Sequence, residues 1–119
     1  MILVDTSVWI DHFRQKNENL DSLLYRGTVQ MHEFIIGELA IGNFKNRKPI
    51  LDLLESVPKL KKLSHEEFVF FVNKYSLYGR GIGFVDIHLL AATKMANVKI
   101  WTLDKRLLKI AEEMNLNYL

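Results

Sequence analysis

The chain opens on a short apolar run, ILVD (2 to 5), which passes through Thr6 and Ser7 into apolar positions at helical recurrence, Val8, Trp9, Ile10 and Phe13. A β-branched run that ends in small polar residues and then changes period predicts a strand, a tight turn and a capped helix. Leu20, Leu23 and Leu24 keep helical spacing until Gly27, and TVQM (28 to 31) predicts a second strand. Residues 32 to 43, HEFIIGELAIGN, are apolar around most of a helix's girth despite Gly37, which predicts a helix buried on more than one side.

Beyond the basic turn NRKP, Ile50, Leu51, Leu53, Leu54 and Val57 predict another helix, and KLKKL reads as an edge strand. The stretch LSHEEF holds a complete helix start: Ser64 and Glu67 form a capping box, with Leu63 and Phe68 placed for a hydrophobic staple. Phe68, Phe71, Val72, Tyr75 and Tyr78 are that helix's expected inward stripe, and GRGIG (79 to 83) breaks the chain. GFVDIHLLAATKMA (83 to 96) then reads as a helix apolar on almost every side, VKIWTLD (98 to 104) as a strand, and KRLLKIAEEM as a final helix. Strands alternate with helices throughout, and strands apolar on both faces belong to a covered parallel sheet. The expected class is therefore α/β, in one domain over residues 1–119 without internal repeats.

Composition narrows this little. Hydrophobic residues make up 49% and charged residues 25% of 119, enough for a core without staples. Cysteine is absent, so disulfides and thiolate metal sites are excluded, and a metal would need oxygen or histidine ligands. The longest stretch without Asp, Glu, Lys or Arg is seven residues, Ile87 to Thr93, so no membrane span is expected. The N-terminus carries no basic region ahead of its apolar run and reads as the first strand of a cytoplasmic protein rather than a secretion signal. A net charge of +2 tolerates a polyanionic partner but is no basic stripe.

Four acids stand in apolar company: Asp5 after ILV, Glu38 inside FIIGELAI, Asp86 inside GIGFVDIHLLAA and Asp104 after KIWTL. Local roles exist for three of them. Asp104 before KRLL fits a helix N-cap, Asp86 in a first turn complements the helix dipole, and Asp5 with Thr6 and Ser7 fits a simple turn. Glu38 has no such role, although a surface position or an arginine partner would suffice. Asp5 and Asp104 close predicted strands, where open parallel sheets bind ligands, and Asp86 opens a helix after a loop that can reach the same edge. Carboxylates ~4 Å apart repel by about 1 kcal/mol in water and about 4 kcal/mol at an effective dielectric near 20. A divalent cation reverses that sign, and hard oxygen ligands suit Mg²⁺ or Mn²⁺.

The segments ILVDTSVWID, EFIIGELAIGN, GRGIGFVDIHLLAAT and IWTLDKRL resemble, in order and spacing, those of the PIN-domain ribonucleases, and look most like the VapC toxins of prokaryotic toxin–antitoxin pairs. The resemblance spans nearly the whole chain. It implies a PIN-like three-layer fold with a central parallel sheet of four or five strands flanked by helices. It maps the acidic set onto Asp5, Glu38, Asp86 and Asp104, with Thr6 or Ser7 and Thr102 as polar supports. It further implies Mg²⁺- or Mn²⁺-dependent endonucleolytic cleavage of RNA at one or two metal ions, a homodimer, and a small VapB-like antitoxin whose C-terminal segment occupies the groove. Asp5 and Asp86 are the expected direct ligands, with Glu38 and Asp104 completing the site or acting through water.

Arg80, Lys105 and Arg106 flank the acidic motifs and are candidate phosphate contacts, against a solvated reading of the same residues. Lys59, Lys61 and Lys62 read as a charge guard on an edge strand. His88, His12 and His32 read as hydrogen-bonded core histidines before metal ligands. Asp11, one turn after Ser7, is an outside candidate for the site, and Trp9 and Trp101 are core or interface residues. Among rival readings, a phosphatase of the haloacid dehalogenase type wants a second aspartate where Ser7 stands. A flap-type nuclease needs more chain than 119 residues hold. A catalytically silent PIN-like module binding RNA or protein remains the non-enzyme alternative.

Overall fold

Three parallel strands organise the molecule: β1 (Ile2–Val4) at the centre, β2 (Val29–Gln30) on one side and β3 (Lys99–Trp101) on the other. The computed structural model describes residues Met1–Leu119. Ile2 pairs with Val29 and Lys99, Leu3 with Gln30 and Ile100, and Val4 with Trp101. Central β1 is buried along its length because helices cover both faces, which is why ILV shows no polar alternation. Helices α1 (Thr6–Arg14) and α2 (Glu18–Tyr25) make the first crossover. The second runs through α3 (Glu33–Ile41), α4 (Arg47–Glu55), α5 (His65–Lys74) and α6 (Phe84–Ala96), and α7 (Lys105–Glu113) follows β3.

The regular sheet thus has three strands where four or five were expected. Each edge is extended by one parallel bridge, Met31 to Lys59 and Ile100 to Asn117. KLKKL contributes only that single bridge, bounded by Pro58, whose carbonyl accepts from the Met31 amide at 2.8 Å but which has no N–H of its own to give. Its lysines do blunt the edge: Lys59 pairs with Glu55 and Lys62 with Glu33.

One core cluster of 26 buried residues unites the sheet and helices. In α6, the seven residues Ile87 to Thr93 are all buried, which explains a segment apolar on every side. The capping box of α5 is formed, with the Glu67 amide donating to Ser64 Oγ at 3.1 Å and the Ser64 amide to Glu67 Oε1 at 2.8 Å. Two expectations of burial fail. Helix α3 buries Ile35, Ile36 and Leu39 but leaves Glu33, Gly37, Glu38 and Ile41 on one open stripe, so it is covered on one side only. Tyr78 lies beyond the end of α5 and is 65% exposed. No helix is long and apolar enough to cross a membrane.

Candidate active site

Asp5 follows the last residue of β1 and caps α1, which fixes its carboxylate at the carboxyl edge of the sheet. The strand ends are laced together there. The Asp5 amide donates to the Trp101 carbonyl (2.9 Å), while the Thr102 and Ser7 hydroxyls each donate to Asp5 Oδ2 at 2.7 Å. Each hydroxyl also accepts, Thr102 from the Asp104 amide (3.0 Å) and Ser7 from the Leu103 amide (2.9 Å). With its protons thus committed, the network immobilises Oδ2 and leaves Oδ1 without a protein donor. Asp5 is only 4% exposed, so this satisfaction is what makes its burial tolerable.

The other acids arrive from three further elements. Glu38 projects from the open stripe of α3, and its Oε1 accepts from the Thr6 hydroxyl at 2.6 Å. Asp104 caps α7, accepting from the Leu107 amide at 2.9 Å on Oδ1. Asp86 sits half-buried in the first turn of α6 and accepts no hydrogen bond from the protein. Burial, followed by the charges of Asp5, Asp104 and Glu38, pushes its carboxyl up from an ordinary 3.8 to about 6. A helix N-terminus alone would act in the other direction. The capping roles of Asp5 and Asp104 are therefore real, and they coexist with a gathering of four carboxylates that no lysine or arginine offsets at Asp86.

The donor set is all oxygen, and no three acidic or histidine side chains close around one point tightly enough to hold an ion by themselves. An all-oxygen donor set around a half-buried carboxyl that no protein cation offsets suits a hard cation such as Mg²⁺. Asp5 Oδ1, both Asp86 oxygens, Glu38 Oε2 and Asp104 Oδ2 accept no hydrogen bond from the protein and are free to serve.

Asp86 and Asp104 also line an open cleft of about 840 Å³, walled by the Gly79–Gly83 loop and by Lys105, Arg106 and Lys109 of α7. Of the expected phosphate contacts, two are already engaged. Arg80 holds Glu113 through two 2.8 Å hydrogen bonds, and Arg106 Nη1 donates to the Gly81 carbonyl at 2.7 Å. Gly81 has φ +73°, and a Cβ there would come within 3.1 Å of that guanidinium, so the loop's shape and the Arg106 clamp depend on each other. Lys105 carries no ion pair, nor does Lys109, which the sequence reading passed over although it stands one helical turn after Lys105.

The histidines lie elsewhere. His12 Nδ1 accepts from the Asn17 amide and His32 Nδ1 from the Phe34 amide, both at 3.0 Å. His88 is a core residue but not a hydrogen-bonded one: it stacks on Phe68 at 4.3 Å, meets Phe34 and Phe84 edge-on, and its Nδ1 is unpartnered. Asp11 is exposed on α1 and makes no contribution at Asp86, while Trp9 and Trp101 are core.

A family model described as the PIN domain matches residues 2–113. The chain is 42% identical over 108 residues to the protein named Ribonuclease VapC32 of Mycobacterium tuberculosis, in strains CDC 1551 and H37Rv. The match covers 90% of this chain and 87% of that protein.

Proposed function

Because the chain belongs to the PIN-domain family, among its VapC ribonucleases, we propose that it is a Mg²⁺- or Mn²⁺-dependent endoribonuclease toxin, held in check by a small VapB-like antitoxin and acting as a homodimer. The observation that carries the reading is the arrival of Asp5, Glu38 and Asp104, from three separate segments, within range of the Asp86 charge. Helix caps account for Asp5 and Asp104 singly, but no protein cation offsets the repulsion at Asp86, and a bound divalent cation would.

In this reading Asp5 and Asp86 would hold the metal directly, and Glu38 and Asp104 would complete the site around it. The chemistry such an ion would supply is a bound water of lowered pKa and neutralisation of charge at the phosphate. Thr102 and Ser7 keep Asp5 Oδ1 aimed outward by occupying Oδ2, and Thr6 holds Glu38 in reach. Asp86, neutral in part near pH 6 without a cation, becomes fully charged when one neutralises it. Lys105 and Lys109 draw the RNA backbone along the adjoining cleft, and Arg80 and Arg106 stabilise the loop that forms its wall.

The test is cleavage of single-stranded RNA by the purified chain with Mg²⁺ or Mn²⁺. Cleavage is expected to stop in EDTA and to vanish in Asp5→Asn while the far-ultraviolet circular dichroism is unchanged. Cleavage that survives in a folded Asp5→Asn protein refutes the assigned site.

A further inference from the structure

A second cavity touches the acidic site from a different part of the fold. It encloses about 370 Å³ between α1, α3 and the segment that follows α3, and it shares Glu38 with the four acids as the larger cleft shares Asp86 and Asp104. Its size lies in the range of small-molecule sites, about 300–1,000 Å³. Its floor is apolar: Leu39 and Phe13, with the Phe44 ring stacked on Phe13 at 4.6 Å between centroids and 17° between planes. Arg14 and Lys45 stand at the same cavity without an ion pair, and the Asn43 amide makes no side-chain hydrogen bond within the protein. The wall is braced rather than loose, since Arg47 donates to the Gly42 carbonyl at 3.1 Å and also to the Ala40 carbonyl.

An aromatic stack lining the cavity, an uncommitted amide and two cations without ion pairs, next to the acids assigned above to phosphodiester cleavage, match one ligand chemistry. Single-stranded RNA is read by splaying a base onto an aromatic ring and bonding its edge, while cations hold the flanking phosphate. We propose that this cavity receives one unstacked nucleobase of the strand adjacent to the scissile phosphate, and so determines the sequence that is cleaved. Phe44 extends its stack to the base, Asn43 reads the base edge, and Arg14 and Lys45 take the backbone charge. The proposal rests on the ribonuclease reading above, from which its test is kept separable.

Two measurements decide it. In the first, a pool of RNAs randomised around one site is cleaved by the wild type, Asn43→Ala and Phe44→Leu, the last keeping apolar packing on Phe13 while removing the ring. The wild type is expected to prefer a base at one position beside the cut, and each variant to lose about tenfold on the preferred RNA with little change on the others. In the second, RNA carrying 4-thiouridine is photo-crosslinked to the wild type in EDTA, where no cleavage occurs; the adduct is expected in segment 39–45. Unchanged preference in both variants, a wild type with none, or adducts only outside that segment overturn the proposal and leave the cavity to protein packing. If the wild type cleaves no RNA, the ribonuclease reading fails and the crosslink alone decides the cavity.

Discussion

Asp86→Asn separates a carboxylate kept for a metal from one kept for the fold. The rise from 3.8 to about 6 at Asp86 corresponds to about 3 kcal/mol of preference for the protonated form in the folded state. The carboxyl is half exposed, so solvent screening leaves about 1–2 kcal/mol. Losing a first-turn acid also forfeits about 0.3–1 kcal/mol of helix-dipole complementarity. Because the folded protein binds the proton more tightly than the unfolded chain, Asp86 favours folding below pH 3.8, and that contribution is lost as pH rises through about 6. In EDTA at pH 8, Asp86→Asn should therefore be about 1 kcal/mol more stable than the wild type, or about 3–6 °C in Tm, and the gap should close near pH 4. Mg²⁺ at a hundred times its Kd should add about 2.7 kcal/mol to the wild type alone and reverse the order. Urea unfolding followed by circular dichroism, with EDTA or Mg²⁺ at both pH values, measures the gap between variant and wild type in all four conditions. A variant no more stable than the wild type at pH 8 in EDTA, or equal stabilisation of both by Mg²⁺, would refute the reasoning.

Two further outcomes are expected. Thr102→Val removes a donor to Asp5 Oδ2 and the acceptor of the Asp104 amide, and should cost about 1–3 kcal/mol and lower kcat more than it raises KM; Thr102→Ser should restore both, and identical Val and Ser variants would dismiss the hydroxyl. Burial, then the neighbouring His88, pushes His32 down from 6.5 to about 4, so its neutral form supports folding above pH 6.5 and up to about 3 kcal/mol is lost as pH falls toward 4. His32→Asn keeps an acceptor for the Phe34 amide, and should be less acid-sensitive than the wild type in urea titrations between pH 7 and 4.5; equal slopes would place the acid lability elsewhere.

What could be read from sequence was what is encoded by near neighbours. The ILVD run, the Ser64–Glu67 box and the uncharged Ile87–Thr93 stretch each state their structure within a few residues, and the four acids stand out because their immediate neighbours are apolar. Features set by distant packing were not legible. Whether KLKKL forms a strand or a single bridge depends on Met31, and the Arg80–Glu113 pair joins residues 33 apart. The open stripe of α3 was hidden because Ile41, 88% exposed, is as apolar as the buried Ile35. His88 carried no sign of the three phenylalanine rings around it, which come from α3, α5 and α6. The stacking of Phe44 on Phe13 across the loop after α3 likewise left no local mark.

The knot at Asp5 joins partners 97 residues apart, and that separation bears on how such an enzyme comes into being on the ribosome. A chain is threaded out from its N-terminus at about 5–20 residues per second, and structure that needs late residues must wait for them. Until the stretch around Thr102 has emerged and β3 has zipped onto β1, the first aspartate has no rigid frame. The acidic site is therefore completed only after residues far from Asp5 in the chain have joined the sheet, and any earlier folding intermediate holds its carboxylates unassembled.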